Sequence, residues 1–178
     1  YLIIADILRN KIILIYTLVL MIFSWSVLSL EDNSAKAMLS LLNIVLLVVP
    51  LMSIIFTTIY MYNSTEFIEL LVSQPIKRST IWISHFMGLS TALTLAYLTG
   101  IGLPIVLFSL NGAGASILLM GLFITQVFIA IAMLCSIIAR DKAKGIGMSI
   151  LFWLFLTLVY VGLVLYFMFQ FSDYPIEK

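Results

Sequence analysis

Five long apolar runs, separated by short polar segments, dominate the pattern of the sequence. A helix needs about 20 mostly apolar residues to cross about 30 Å of hydrocarbon. All five runs reach that length, and none shows the alternating pattern, about ten residues long, of a membrane β-strand. We therefore predict an all-α, polytopic membrane helix bundle that forms a single domain over residues 1–178, with spans at about 12–30, 37–62, 81–110, 116–138 and 146–171.

The composition agrees with this pattern and excludes two classes of protein. Hydrophobic residues make up 63% of the chain and charged residues 10%, and the mean hydropathy is +1.23. Soluble domains have about 25% charged residues, so an ordinary soluble enzyme is excluded. The net charge is only +1, which leaves no basic footprint for a nucleic acid.

The basic residues are concentrated in alternate loops. Seven of the nine lie before the first span or in the loops after spans two and four: Arg9, Lys11, Lys77, Arg78, Arg140, Lys142 and Lys144. The positive-inside rule then places the amino end in the cytoplasm of a bacterial inner (plasma) membrane. Residues 1–11 carry one polar stripe, which favours either a cytoplasmic elbow helix at the interface or a continuation of the first span.

The loop over residues 63–80, between spans two and three, is longer than a turn. Asn63 with Glu66 three positions later is typical of a helix N-cap and its reciprocal carboxylate, and Pro75 disfavours helix at the residue before it. We predict a short cytoplasmic helix that ends at Pro75, after which Ser79 or Thr80 caps the third span.

This short helix would place glutamates on one side and apolar residues on another. Glu66, Glu69 and Leu70 share one side, whereas Phe67 and Leu71 lie on a different one. Two interpretations stay open at this point. The helix anchors the loop among lipid headgroups, or it is a lever that a cytoplasmic partner moves.

Two segments resemble a known family. The run from Glu66 to Arg78, EFIELLVSQPIKR, resembles the motif that ABC-2 type transporter permeases carry between spans two and three. Residues 139–147, followed by Trp153, are similar to the second cytoplasmic loop of that family. Within the family the likeness is to the permeases of nitrous-oxide-reductase maturation transporters.

The resemblance implies a six-span subunit that pairs with a second copy of itself and binds cytoplasmic ABC ATPase subunits, with a periplasmic accessory protein as a further partner. Its function would be export, or maturation of the copper–sulfur centre of nitrous oxide reductase. A sixth span would then lie outside these residues. The ATPase-coupling surface implied is Glu66, Phe67, Glu69, Leu70, Leu71, Ser73, Gln74, Pro75, Lys77 and Arg78, and the second loop contributes Arg140, Asp141, Lys142 and Lys144. The basic residues of both loops would pair with acidic groups of the ATPase or with anionic membrane lipid.

The sequence has none of the motifs that would make this chain an enzyme. It lacks a GxxxxGK[ST] phosphate loop, so ATP and Mg are expected on the partner ATPase rather than on this chain. It also lacks the Ser/His, paired-Asp or HExxH constellations of an intramembrane enzyme, and its one cysteine, Cys135, forms no CxxC pair. We therefore assign no catalytic residue, cofactor or metal. A non-catalytic scaffold that anchors a partner complex is the alternative function.

Polar residues inside the spans follow helical faces. Two faces are Asn43, Pro50, Ser53, Thr57 and Tyr60 in span two, and Ser149, Trp153, Thr157 and Tyr160 in span five. Packing between helices is one interpretation, and lining of a translocation path or a dimer seam is the other. No acidic or basic residue lies in the middle of a span, which points to an energy source outside the membrane. In span three, Gly100, Gly102 and Pro104 predict a kink, and His85 is expected at an interfacial or packing position.

Overall fold

The computed structural model describes residues 11–30, 34–72, 77–108, 112–139 and 141–172. They are almost entirely helical, and no strand occurs among them. The helices are α1 (Lys11–Leu30), α2 (Ser34–Asn63), α3 (Thr65–Val72), α4 (Arg78–Tyr97), a π-helical segment (Leu98–Gly102), α5 (Leu103–Phe108), α6 (Gly112–Ile138) and α7 (Lys142–Ser172).

Five helical stretches are long and apolar enough to cross a membrane: Lys11–Leu30, Lys36–Asn63, Arg78–Phe108, Gly112–Ile138 and Lys142–Tyr160. The predicted all-α polytopic bundle is therefore confirmed, and the chain is a multi-pass membrane protein. The elbow predicted over residues 1–11 lies outside the described residues apart from Lys11, where α1 begins.

Helix α2 lies at the centre of the bundle. It packs most extensively along α6, and also contacts α7 and α1, while α4 packs against α6 and α1. The core between these helices is made of apolar side chains such as Leu41, Val45, Leu89, Leu93 and Ile129, all at most 1% exposed. Helix α7 packs against α2 and α6, and most of its described apolar side chains are exposed. These outward side chains suit a lipid solvent, where an exposed apolar surface carries no penalty.

The two ends of the bundle differ in composition. One end carries Lys11, Lys77, Arg78 and Lys142, and we call it the basic end. At the opposite end, the ring of Trp25 in α1 meets Phe108 of α5 edge to face, with centroids 5.1 Å apart. The short helix α3 lies at the basic end, where it contacts α2 and α4.

A π-helical segment lies where the kink in span three is predicted. The Leu103 N–H donates to Leu98 O, five residues back, and Pro104 has no N–H to offer to Gly100 O. The Ser24 hydroxyl of α1 donates to that carbonyl instead, at 2.8 Å. A Cβ at Gly100 would lie 2.7 Å from the Leu20 Cβ, so glycine is what permits α1 to come this close.

Candidate functional site

The short helix α3 continues almost directly from α2. Ser64 is the single residue between them; its N–H donates to Tyr60 O at 3.0 Å, and its carbonyl accepts from the Ile68 N–H at 2.9 Å. Ser64 therefore occupies the N-cap position, and the prediction that Asn63 caps α3 is wrong, because Asn63 is still the last residue of α2. The Thr65 hydroxyl donates to Tyr62 O at 2.8 Å and supports this junction. Any displacement of α3 therefore acts directly on the end of α2.

The exposed surface of α3 includes several of the predicted coupling residues. Leu70 is 66% exposed and Phe67 is 51% exposed, and Glu69 is also exposed. Glu66 and Leu71 lie within α3, but their side chains are outside the described part of the chain, as are Ser73, Gln74 and Pro75 altogether. The structure thus exposes an acidic and apolar surface on the outside of the bundle.

The inward side of α3 is occupied by Ile68, which is not among the predicted coupling residues. Ile68 is half-buried and packs against the core. It lies seven residues after Met61, which is 5% exposed at the end of α2. This seven-residue spacing continues the buried face of α2 and is the signal that identifies Ile68.

Lys77 and Arg78 are exposed at the start of the third span. Lys77 is the N-cap residue of α4, in an extended conformation, with no side-chain capping bond, and its carbonyl accepts from the Thr80 N–H at 2.9 Å. The prediction that Ser79 or Thr80 caps this span is therefore wrong, because both residues already lie inside the helix. Both side chains are exposed, in a position to meet headgroups or a partner.

The second predicted loop meets the first at the basic end. The Lys142 ammonium donates to Asn63 Oδ1 at 3.1 Å, and the Tyr62 hydroxyl donates to Ala139 O at 2.5 Å. Gly145 lies so close to the Tyr62 ring that a Cβ there would come within 2.7 Å of the Tyr62 Cε2. Asp141, Lys142 and Lys144 are exposed, and Arg140 lies outside the described residues. The structure thus joins the ends of α2 and α6 to the start of α7, a link that residue spacing alone did not predict.

The polar faces of α2 and α7 are covered over only part of their length. On α2, Ser53 and Thr57 are buried and Pro50 is also buried, Tyr60 is half-buried, and Asn43 is exposed. On α7, Ser149 is buried, Trp153 and Thr157 are half-buried, and Tyr160 is 60% exposed. Neighbours therefore cover the halves near the basic end, and Asn43 and Tyr160 face outward.

Several of these buried polar groups lack partners. Thr58 and Ser149 join α2 to α7, with their hydroxyls 3.3 Å apart. Within the described part of the chain, the Ser53 hydroxyl, the Thr57 hydroxyl and the Trp153 indole N–H have no hydrogen-bond partner although they are buried. Thr58 lies one residue off the polar face that the spacing predicts, so the spacing does not identify it.

A second polar contact joins α4 to α6. Gln126 accepts from the Ser90 hydroxyl at 2.5 Å and donates to the Thr94 hydroxyl at 2.9 Å. Gln126 is the one amide side chain within α6, and a single amide in an apolar span indicates a hydrogen bond to another helix.

His85 is also held in the interior. It is 1% exposed, its Nδ1 lies 2.9 Å from Ile81 O, and its Nε2 is buried without a partner in the described residues. Its environment agrees with the packing role expected for it. No group of three or more His, Cys, Asp or Glu residues able to hold a metal occurs among the residues described here.

Comparison with known proteins adds no family to this picture. No protein-family model matches the chain, and a search of curated proteins finds no similar sequence. Function is therefore argued from the loop motif and from the geometry of the basic end.

Proposed function

We propose that this chain is the membrane permease subunit of an ATP-driven ABC-2 type transporter, and that α3 is the helix through which a separate ATPase moves it. The observation that carries the proposal is the junction at the basic end. Helix α3 follows α2 after the single residue Ser64, and Tyr62 and Asn63 tie that junction to Ala139 and Lys142. A push on α3 would therefore displace three spans together.

The surface that such a partner would contact is exposed. Leu70 and Phe67 offer apolar area, and Glu69 adds a carboxylate beside them. Exposed apolar residues on a short helix at the end of a span are typical of a surface that a partner covers. The loop motif shared with ABC-2 permeases supports an ATPase as that partner.

The unpaired polar groups inside the bundle support a second packing arrangement. Leaving a buried hydroxyl or indole N–H without a partner costs about 1–3 kcal/mol each. Ser53, Thr57 and Trp153 are such groups, and they lie on α2 and α7, the helices that the junction would move. A rearranged state that exposes them to water or to cargo would recover that free energy. This is the behaviour expected of a bundle that alternates between two states.

The remaining parts of the proposal rest on the family resemblance and on the distribution of charge. They are a cytoplasmic amino end in a bacterial inner membrane, ATP and Mg bound by the partner, a second copy of the chain, and a periplasmic accessory protein. The process served is export, or maturation of the copper–sulfur centre of nitrous oxide reductase.

Co-purification tests the ATPase proposal. The chain with an affinity tag would be expressed in its own host and extracted in mild detergent, and bound proteins would be screened for a phosphate-loop ATPase. Leu70→Asp should abolish retention of the ATPase, because it places a charge in the apolar contact. Leu70→Met keeps the volume and polarity of the side chain and should retain the ATPase at the wild-type level.

Two results would contradict the proposal. One is the absence of any phosphate-loop ATPase in the wild-type preparation, which would favour the scaffold alternative. The other is equal retention of the ATPase by the Leu70→Asp and Leu70→Met variants, which would place the contact somewhere other than α3.

A further inference from the structure

A cleft of about 300 Å³ opens at the basic end between α3 and the spans behind it. Four elements contribute to it, since Tyr62 comes from α2, Glu69 from α3, Trp82 from α4 and Ser136 from α6. The remaining described lining residues are Met61, Thr65, Ile68, Ile137 and Ala139. The volume is at the lower end of the range for small-molecule sites, which fits a headgroup or a single side chain.

The polar lining of this cleft consists almost entirely of acceptors. The hydroxyls of Tyr62, Thr65 and Ser136 each donate their proton to a backbone carbonyl, at 2.5, 2.8 and 2.7 Å respectively. Their oxygen lone pairs remain free to accept, and Glu69 adds a carboxylate. No Lys, Arg or His occurs among the described lining residues. A group with several N–H donors and a positive charge is therefore the complement of this lining.

Aromatic rings strengthen the preference for a cation. Tyr62 and Trp82 both line the cleft, and the face of an aromatic ring attracts an ammonium group. Trp82 is half-buried, so its ring is partly accessible to a molecule in the cleft. Its indole N–H is the one neutral donor among the described lining side chains.

Groups that would bind an anion lie one helical turn away from the Trp82 side of the cleft. Arg78 lies four residues before Trp82 on the same face of α4, about 6 Å along the helix axis. It is also the first residue of that helix, where unpaired backbone N–H groups favour phosphate. The basic end thus pairs an acceptor-lined cleft with a neighbouring site for a phosphate.

The surroundings of the cleft are those of a lipid. Ile137 lines it and is 56% exposed, and the adjacent Ile138 is 57% exposed at the end of a membrane-spanning helix. Acyl chains could lie along this apolar surface while the headgroup enters the cleft. We infer that the cleft binds a phospholipid with a primary ammonium headgroup, of the phosphatidylethanolamine type, with its ammonium at Glu69 and its phosphate toward Arg78.

Competition between two lipids tests this site without knowledge of the function. The full chain would be placed in nanodiscs of phosphatidylglycerol that contain equal amounts of phosphatidylethanolamine and phosphatidylcholine. After transfer to mild detergent, native mass spectrometry would count the lipids that stay bound. Phosphatidylethanolamine should be retained about tenfold over phosphatidylcholine, because a trimethylated ammonium has no N–H to donate to the carboxylate.

A pair of charge-matched variants locates the site. Glu69→Gln should reduce the preference to near equality. Asp141→Asn removes one negative charge from the same end, outside the described lining, and should keep the wild-type preference. The backbone carbonyl of Asp141 accepts the first hydrogen bond of α7, from the Gly145 N–H, and the substitution keeps this carbonyl. Asparagine is also an equally good N-cap residue, so the fold should persist.

Three outcomes would overturn the inference. Equal retention of both lipids by the wild type would show that the cleft does not recognise the ammonium headgroup. A basic side chain of a partner protein would then be the better candidate for its occupant. Retention of phosphatidylglycerol alone would indicate an anion site without the ammonium contact. Equal preferences in the Glu69→Gln and Asp141→Asn variants would place lipid recognition elsewhere.

Discussion

Two tyrosine–glycine contacts join spans at different levels of the bundle, and they differ in their freedom to move. Tyr97 of α4 lies against Gly121 of α6, is fully buried, and donates its hydroxyl to Ile117 O at 3.0 Å. Tyr62 of α2 lies against Gly145 of α7, is half-buried, and donates to Ala139 O at 2.5 Å. The same pair of residue types serves both contacts, so the difference comes from the surroundings.

We call the Tyr97–Gly121 contact the fixed joint and the Tyr62–Gly145 contact the adjustable joint, because their surroundings differ. Tyr97 holds two points of one helix, since Ile117 and Gly121 are a turn apart in α6. Tyr62 connects the end of α6 to the start of α7 across a loop whose described neighbours are largely exposed. A close-packed interior transmits strain and resists change, whereas half-exposed side chains at helix ends relax locally. We therefore expect the Tyr97 contact to maintain the fold and the Tyr62 contact to permit movement.

The largest expected effect is at the fixed joint. A Cβ at Gly121 would lie 2.8 Å from Tyr97 Cε2, and the Tyr97 ring is 0% exposed. Gly121→Ala should destabilise the protein by about 3 kcal/mol, through overpacking and distortion of the Tyr97 hydrogen bond. Thermal unfolding in detergent would measure this. The control is Gly162→Ala, where no heavy atom lies within 4 Å of the added Cβ. If the Gly121→Ala variant melts at the same temperature as the Gly162→Ala control, the joint is not rigid.

A somewhat smaller effect is expected at the contact of α1 with the π-helical segment. Ser24→Ala removes the buried hydrogen bond from the Ser24 hydroxyl to Gly100 O, which costs about 1–1.5 kcal/mol. Ser29→Ala is the matched control, because the Ser29 hydroxyl is exposed and bonds only within its own helix, to Ser26 O. Denaturation of the two variants in the same detergent would compare them directly. Equal stability would mean that the Gly100 carbonyl does not depend on Ser24.

A change at the adjustable joint should cost less than the same change at the fixed one. A Cβ at Gly145 would come within 2.7 Å of Tyr62 Cε2, much as at Gly121. Because Tyr62 is half-buried and can swing outward, Gly145→Ala should cost about 1 kcal/mol. The comparison fails if Gly145→Ala lowers the melting temperature as much as Gly121→Ala does. In that case both joints would be equally fixed.

The sequence was sufficient for the spans, because run length and polarity alone decide which segments can lie in lipid. It was also sufficient for the short helix α3 at the basic end, although its cap is Ser64 rather than Asn63. The tyrosine–glycine contacts could not be predicted. They depend on how neighbouring helices are rotated, and nothing in the spacing of Tyr62 or Tyr97 specifies which glycine each will meet.

The polar faces show the same limit. Helical spacing places Asn43 and Thr57 on one side of α2, yet Asn43 is exposed and Thr57 is fully buried. Periodicity describes a single helix, whereas burial depends on which neighbours run beside each half of it. The hydrogen bond between Ser24 and Gly100 also depends on which helices are neighbours, because it joins residues 76 positions apart.

The smallest effect on stability is expected where the proposed coupling is greatest. The Lys142 ammonium and Asn63 Oδ1 form an exposed hydrogen bond, so Lys142→Met should change the free energy of unfolding by about 0.5 kcal/mol or less. On the proposed function, however, this bond ties α7 to the end of α2, so the variant should lose much of its transport. The exposed Lys144 supplies the matched control Lys144→Met, because the hydrogen bond to Asn63 comes from Lys142. ATPase retention and transport would be measured in both variants after reconstitution. Unchanged transport in Lys142→Met would show that coupling does not need this hydrogen bond. The hydrogen bond from Tyr62 to Ala139 would then be the remaining link between the two loops.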